Sequence, residues 1–440
     1  MTVTTRFAPS PTGRLHVGNI RTALHNYLLA AQSGGRFLLR IDDTDVERSR
    51  EEHVTQIVAD LDWLGLIPAA TVRQSERFDI YDREFERLRA NGRVYACYET
   101  PEELDIQRKI LLGRKLPPIY QRKLEGTAIP DGVAPHWRFR LDHGAPIAWD
   151  DLVRGHQKFD PALLSDPVIR RADGTWLYLL PSVIDDVDLA ITHVLRGEDH
   201  VTNSAVQLQM FAALDAAPPA LAHTALLVAA EGKLSKRLGS SGVDALKEAG
   251  VEPMALNSLL ARLGTSQPVE AKASLAELGE GFDLSSFGRA PAHFDLAEVE
   301  QLNLKLLHHL DFAAVAERLP AGMTEGDWLL LRGNVDHLAD LADWLAMLDG
   351  DLPAPEIAEE DHAFLGKAAS IAAGLDWSGE PWGQLAEALK SATGRKGKAL
   401  FLPLRQALTG RSSGPEMAPL LKRIGRDRAL ARLTAASASS

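Results

Sequence analysis

The first 45 residues constrain the fold more than any other stretch. Residues 3–8 (Val-Thr-Thr-Arg-Phe-Ala) read as a strand, and residues 9–19 form a loop punctuated by Pro9, Pro11, Gly13 and Gly18. Apolar residues at Val17, Ile20, Leu24, Tyr27, Leu28 and Ala31 then recur at the spacing of an amphipathic helix. Ser33-Gly34-Gly35 stops that helix, and residues 36–41 read as a second strand that ends in Asp42-Asp43-Thr44-Asp45. A strand, a crossover helix and a second strand make a βαβ unit, which predicts an open parallel α/β sheet. Such sheets bind ligands outside the carboxyl ends of their strands, where the loop and the carboxylates fall. The loop also ends at a helix N-terminus, whose unpaired N–H groups and dipole favour an anion.

Gly13 to Gly18 has the Gly-x-x-x-x-Gly spacing of a P-loop. Asn19 and Ile20 stand where that motif needs Lys and Ser/Thr, so the P-loop reading fails on its chemical residues. A second segment, Lys233-Leu234-Ser235-Lys236-Arg237, puts three cations in five residues between Gly232 and Gly239. It suits a loop that closes over a polyphosphate. Alone, His16 is more often a satisfied helix-start residue than a catalytic group, and a lone basic loop is usually solvated. Their joint occurrence points to ATP.

Length predicts two to four domains, since 440 residues exceed one ordinary core. A hydrophobic content of 45% and a charged content of 25% are those of a globular chain. The single cysteine, Cys97, excludes an intramolecular disulfide and a zinc cluster built on several cysteines, and it fits a reducing cytoplasm. No apolar run approaches the roughly 20 residues that span a bilayer, and the N-terminus lacks a secretory core, so a soluble chain without membrane contact is expected. A net charge of −12 argues against general nucleic-acid binding, because phosphate contacts need Lys and Arg. Residues 390–432 nevertheless carry eleven Lys and Arg against Glu416 and Asp427, a candidate RNA-contact surface, whereas residues 311–361 are acid-rich.

Ser49-Arg50-Glu51-Glu52 has capping-box spacing ahead of a helix bearing Val54, Ile57, Val58, Leu61 and Leu64. Residues 95–167 are irregular and aromatic-rich and read as an insertion. Strand patterns return at 191–195 and 226–229. Beyond Gly242 the periodicity is helical, with no convincing β alternation, a linker at 349–355, and a small, polar, disordered end at 434–440.

The two basic and Gly-rich motifs resemble the HIGH and KMSKS signatures of class I aminoacyl-tRNA synthetases, here as HVGN and KLSKR. The chain is similar to bacterial glutamyl-tRNA synthetases nearly end to end, through residues 36–45, 178–186, 196–203, 282–294 and 397–410. The resemblance implies a Rossmann-type catalytic domain in two halves, 1–94 and 168–241, with an α+β acceptor-end-binding insertion at 95–167. All-α domains would follow, a stem-contact part at 242–320 and an anticodon-binding part at 321–440. ATP would meet Pro9, Gly13, His16, Gly18, Asn19, Lys233, Ser235 and Lys236, with His16, Lys233 and Lys236 stabilising charge on the departing pyrophosphate. Mg²⁺ would accompany ATP. Glutamate would meet Arg6, Ala8, Ser10, Asp42, Tyr178, Ser182 and Arg196.

Two arginines suit two carboxylates, and which holds which stays open. The family often has Glu at the position of Asp42 and Asn at that of Ser182; both are shorter here. Some members hold zinc in the insertion through several Cys and His, and with one thiol no structural zinc is expected. Glutaminyl-tRNA synthetases differ at 9–13 and in having Asp-Asp-Thr-Asn for residues 42–45, which favours glutamate. The implied partners are tRNA-Glu, with tRNA-Gln left open, and a monomer is expected. The rival readings are a truncated relative that glutamylates a modified tRNA nucleoside, which lacks the C-terminal helical domains, and a non-catalytic RNA-binding protein.

Overall fold

The computed structural model describes residues 2–122, 132–229, 242–352 and 357–438. They divide into two compact units, one of Met1–Glu248 with Glu252–Leu302 and one of Ala249–Val251 with Asn303–Ser440.

In the first unit β1 (Thr4–Phe7), α1 (Val17–Gln32) and β2 (Arg36–Ile41) form the expected βαβ unit. The strands are parallel, with Thr4 opposite Arg36. β1 is buried along its whole length and β2 beyond its first residue, as befits strands covered on both faces. α2 (Glu51–Trp63) returns the chain to β3 (Ala70–Arg73), parallel to β2, and α3 (Phe78–Ala90) follows. Next comes an inserted segment of α+β type. β4 (Val94–Cys97), β5 (His136–Phe139) and β8 (Val168–Arg170) make an antiparallel sheet, α4 (Pro101–Gly113) leaves it, and β6 (Ile147–Asp151) pairs with β7 (Gly155–Phe159) in a hairpin.

α5 (Leu179–Asp188), β9 (His193–Gly197), α6 (Val201–Ala213) and β10 (Ala220–Thr224) complete the nucleotide fold, with β9 and β10 parallel. The two parallel sheets meet at Thr192, whose N–H donates to the Thr4 carbonyl (2.9 Å). Reading across, the strands run β3, β2, β1, then β9, β10. The winding reverses between β1 and β9, which makes a topological switch point there.

Four local expectations need correcting. The strand expected at 191–195 lies two residues later, because Thr192 is spent on β1. Ser49 is not the cap of α2; Arg50 occupies that position without a side-chain bond, and Glu51 and Glu52 in the first turn meet the helix dipole instead. Among the described residues beyond Gly242 there is one strand after all, β12 (Ala292–Phe294), parallel to β11 (Leu227–Ala229). Three residues are too few for alternation to show in a sequence. The C-terminal end is helical through Ala438, because Ala429, Leu433 and Ala436 bury a continuous stripe.

The second unit is helical around Trp328, Trp344, Phe364, Leu365, Leu404 and Leu433. Its basic stretch is partly structural. Arg423 bonds Asp327 (2.5 Å) and Asp349 (2.8 Å), Arg395 pairs with Asp361, and buried Arg432 donates to the carbonyls of Leu408 (2.8 Å), Met347 (2.5 Å) and Gly350 (2.8 Å). The basic and acidic runs therefore neutralise each other in part, and Lys396, Lys398 and Lys422 are among the cations left exposed. Among the described residues no helix is long and apolar enough to cross a membrane.

Candidate active site

A cavity of about 1020 Å³ opens at the β1/β9 switch point, wholly within the first unit. Its floor follows from the loop after β1. The Pro9 carbonyl accepts from the Asp42 N–H (3.0 Å) and the Pro11 carbonyl from the Arg50 N–H (3.1 Å), which pins the loop to the end of β2 and the start of α2.

His16 is the N-cap of α1. Its Nδ1 accepts from the N–H groups of Gly18 (3.1 Å) and Asn19 (3.3 Å), while Asn19 Oδ1 accepts from the His16 N–H (3.2 Å). This is a capping box with His in the place of Ser or Thr and Asn in the place of Glu. The glycine in HVGN has a steric reason, since a Cβ at position 18 would stand 3.0 Å from His16 Cε1 and Nδ1. Burial lowers the His16 pKa, so the ring is neutral at physiological pH. An accepting Nδ1 then requires the proton on Nε2, which makes Nε2–H a donor. The helix-start role and a phosphate-facing role are thus two edges of one ring.

Opposite lies a buried ionic network whose hub, Arg40, the sequence reading missed. Arg40 is 1% exposed. Its Nε and Nη2 donate to both Asp42 oxygens (2.7 and 3.1 Å), Nη1 to Asp186 (2.9 Å) and the Ser182 carbonyl (3.2 Å), and Nη2 also to Ser182 Oγ (3.1 Å). The two side chains that are shorter than the family's usual ones therefore converge on one guanidinium. Burial pushes the Asp42 carboxyl up, against the pull of Arg40. Arg6 presents Nε and Nη2 to Asp186 (3.0 and 3.2 Å), so its bidentate edge is taken and Nη1 remains for a ligand. Burial acts to raise Asp186, but Arg6 and Arg40 together hold it below the usual carboxylate range.

Arg196 differs in kind. It is the penultimate residue of β9, is 9% exposed, and among the described residues is held by neutral acceptors: Nη2 donates to Ser204 Oγ (2.5 Å) and Gln207 Oε1 (2.7 Å), and Nε approaches His223 Nε2 (3.4 Å). Among the described residues no carboxylate lies within ion-pair distance. Desolvation, with Arg6 nearby, lowers its pKa to about 10. A buried cation without a counter-ion among the described residues asks for an anion.

Of the sequence-derived site residues, Arg6, Ala8, Pro9, Ser10, His16, Gly18, Asn19, Asp42, Tyr178, Ser182 and Arg196 line the cavity, and Gly13 does not. Lys233, Ser235 and Lys236 lie outside the described residues. Of the acidic run after β2 only Asp42 faces the cavity. Asp43 is buried on the N–H and hydroxyl of Ser75 (both 2.8 Å) and on Arg73 (3.0 Å), and Asp45 bonds the N–H of Arg48 (3.3 Å). Arg21, His200, Thr224 and Phe294 line it unforeseen. Arg21 and Arg40 each interrupt an apolar pattern in α1 and β2, and that interruption was the available signal.

In the insertion, Cys97, Glu99 and His136 bring ligand atoms within 4.8 Å of one another. They do not suit a structural zinc. Tyr120 Oη bonds both Cys97 Sγ (3.4 Å) and Glu99 (3.0 Å), Arg138 stacks on Tyr120 (3.7 Å) and donates to His136 Nε2 (3.4 Å), and burial raises the one thiol and keeps it protonated.

A doubly wound sheet with an anion-seeking helix start at its switch point, an α+β insertion and a helical second unit is the organisation of a class I aminoacyl-tRNA synthetase. Residues 2–300 match the family model of tRNA synthetases class I (E and Q), catalytic domain, and residues 303–437 match that of an anticodon binding domain. The chain belongs to this family of class I synthetases. It is 62% identical over 439 residues to glutamate–tRNA ligase 2 of Sphingopyxis alaskensis, covering 100% of both chains. It is 61% identical to glutamate–tRNA ligase 1 of Rhizorhabdus wittichii, over 99% of this chain and 100% of that one. Its fold is similar to a crystal structure of a glutamate tRNA ligase from Elizabethkingia meningosepticum in complex with its amino acid, with a TM-score of 0.84, 27% identity and 99% of each chain covered.

Proposed function

We propose that this chain is a glutamate:tRNA ligase that works on ATP, L-glutamate and tRNA-Glu. The observation that carries the reading is buried Arg196, a cation without a carboxylate partner among the described residues, facing a cavity that also holds the N-terminus of α1. Full-length similarity to glutamate–tRNA ligases supports it, and the match of residues 303–437 to an anticodon binding domain speaks against a truncated nucleoside-modifying relative.

An oxygen of the glutamate α-carboxylate attacks the α-phosphorus of ATP; the bond to the β-phosphate oxygen breaks and pyrophosphate leaves. A ribose hydroxyl of the terminal adenosine then attacks the acyl carbon and AMP leaves. Both steps depend on positioning and on stabilising displaced negative charge. His16 Nε2–H and the N–H groups at the start of α1 meet the phosphates, with Pro9, Gly18 and Asn19 shaping that wall and Gly13 the loop behind it. Lys233 and Lys236 stabilise charge on the leaving pyrophosphate, and Ser235 belongs to the same ATP-binding motif. Arg196 takes one glutamate carboxylate, Arg6 offers Nη1 to the substrate, Asp42 faces the α-ammonium, and Ala8, Ser10, Tyr178 and Ser182 complete the amino-acid pocket. ATP enters with Mg²⁺, for which no protein ligand is assigned. The insertion receives the acceptor end, and the helices after residue 242 carry the stem and anticodon contacts. The chain acts as a cytoplasmic monomer.

Parallel charging of tRNA-Glu and tRNA-Gln with labelled glutamate tests this reading. Label on tRNA-Glu is expected, and label on tRNA-Gln as well would define a relaxed enzyme; charging of neither would refute the proposal. In the same assay Lys236→Ala should be slower by about a hundredfold or more. An unchanged rate would remove Lys236 from its role.

A further inference from the structure

Behind Arg196, away from the cavity, lies a chain of hydrogen bonds that ends in the insertion. His223 on β10 and Asp151 at the end of β6 are both fully buried, and Asp151 Oδ2 meets His223 Nδ1 at 2.5 Å. His223 Nε2 lies 2.6 Å from Ser204 Oγ on α6, and Ser204 Oγ accepts from Arg196 Nη2 at 2.5 Å. Asp151 is anchored in turn. Its Oδ1 accepts from the N–H groups of Val153 (3.1 Å), Arg154 (2.9 Å) and His223 (3.1 Å).

The direction of each bond follows from charge. Burial acts to raise Asp151, but the hydrogen bonds from His223 and Arg154 outweigh it and hold its pKa to about 2, so it is an ionised acceptor. Nδ1 of His223 must then carry the proton. Burial lowers the His223 pKa and keeps the ring neutral, which leaves Nε2 as an acceptor. Ser204 O–H therefore donates to Nε2, in preference to the longer contact with the His200 carbonyl (3.2 Å), and a lone pair of its oxygen is aimed at Arg196. An aspartate fixing a histidine tautomer behind a serine is the arrangement of hydrolase triads. Here Ser204 is fully buried and does not line the cavity, so it has no substrate to attack.

We propose that Asp151, His223 and Ser204 are positioning residues that orient the Arg196 guanidinium for a substrate carboxylate. A carboxylate placed directly against Arg196 would saturate it, as Asp186 does the bidentate edge of Arg6. Setting the acid two side chains away polarises the serine oxygen toward the guanidinium without neutralising it. Both Nη2 hydrogens are committed, one to Ser204 and one to Gln207, so the plane of the fork is fixed and Nη1 is held for the ligand. The relay also makes a hairpin of the insertion part of the amino-acid site.

This inference rests on the assignment of Arg196 to glutamate, and the test separates the two. Asp151→Asn keeps an oxygen for the three backbone donors but turns an amide N–H toward His223, which reverses the tautomer, so that Nε2–H faces Arg196 Nε–H and Nε2 no longer accepts from Ser204 Oγ. Ser204→Ala removes the acceptor outright. With the full-length enzyme and tRNA-Glu, each variant is expected to raise the KM for glutamate about tenfold, the effect of one charge-assisted hydrogen bond, with the KM for ATP and the melting temperature close to wild type. Arg196→Lys is run alongside. If it raises the glutamate KM while Asp151→Asn and Ser204→Ala leave it within about twofold, the relay is overturned and the role of Arg196 stands. If Arg196→Lys leaves it unmoved, the assignment of Arg196 and the relay both fail. Equal losses in kcat and melting temperature with both KM values unchanged would show a purely structural role and overturn the proposal.

Discussion

Replacing Arg196 by alanine is expected to raise the KM for glutamate by about 10²–10³-fold, the cost of truncating one partner of a buried, hydrogen-bonded charge pair. The same substitution should leave the melting temperature unchanged or raise it. In the free protein Arg196 is a desolvated cation on neutral acceptors, lowered to about 10 by its surroundings, and its burial costs folding free energy that no carboxylate returns. Its value is realised only when substrate arrives, a trade of stability for binding. Steady-state kinetics and thermal unfolding on one preparation check both halves. An unchanged KM, or a protein that melts well below wild type with its kinetics intact, would remove Arg196 from this role.

Arg40→Met is expected to do the opposite. Arg40 is still more deeply buried, but Asp42 and Asp186 flank it and Ser182 supplies two further acceptors, so its removal leaves the Asp42 carboxylate without an ion-pair partner among the described residues and Asp186 with Arg6 alone. Breaking such a network from one side costs about 3–5 kcal/mol, a large share of the stability of an ordinary domain. Denaturant unfolding of the full chain measures it. A loss below about 1 kcal/mol would mean that the two aspartates find other partners. Should the variant fail to accumulate folded, Arg40→Lys, which keeps the charge but loses the fork, should be destabilised by a smaller, measurable amount. Two buried arginines are thus separated by their counter-ions: Arg40 belongs to the architecture and Arg196 to the substrate.

The βαβ core was readable because each of its signals is local. The strand of residues 3–8, the period of α1, the stop at Gly34 and Gly35 and the acidic end of β2 all lie within 45 residues. The edge of the cavity was readable for the same reason, since HVGN is a capping box whose glycine is required by the ring of its own histidine. What escaped was pairing over long separations. Nothing near Arg40 announces Asp186, and nothing near Arg196 announces His223 or, through it, Asp151 in the inserted segment. The C-terminal basic run misled in the same way. Arg423 and Arg432 look like phosphate contacts in sequence, yet one is spent on Asp327 and Asp349 and the other on backbone carbonyls. Composition counts charges, and only the fold says which of them are already paired. The three-residue β12 is too short to show in a sequence, and Ser-x-x-Glu spacing at Ser49 is not sufficient for a cap, since acidic residues in the first turn serve α2 instead.

Glutamate is expected to be joined to the terminal ribose of tRNA. The direct measurement charges tRNA-Glu with labelled glutamate and ATP on two samples, one with the 3′-terminal diol intact and one with it oxidised by periodate. Acid-precipitable label is expected on the intact tRNA and none on the oxidised one. Label retained on oxidised tRNA would place the product on another nucleoside, and label on neither would mean that this chain does not join glutamate to tRNA.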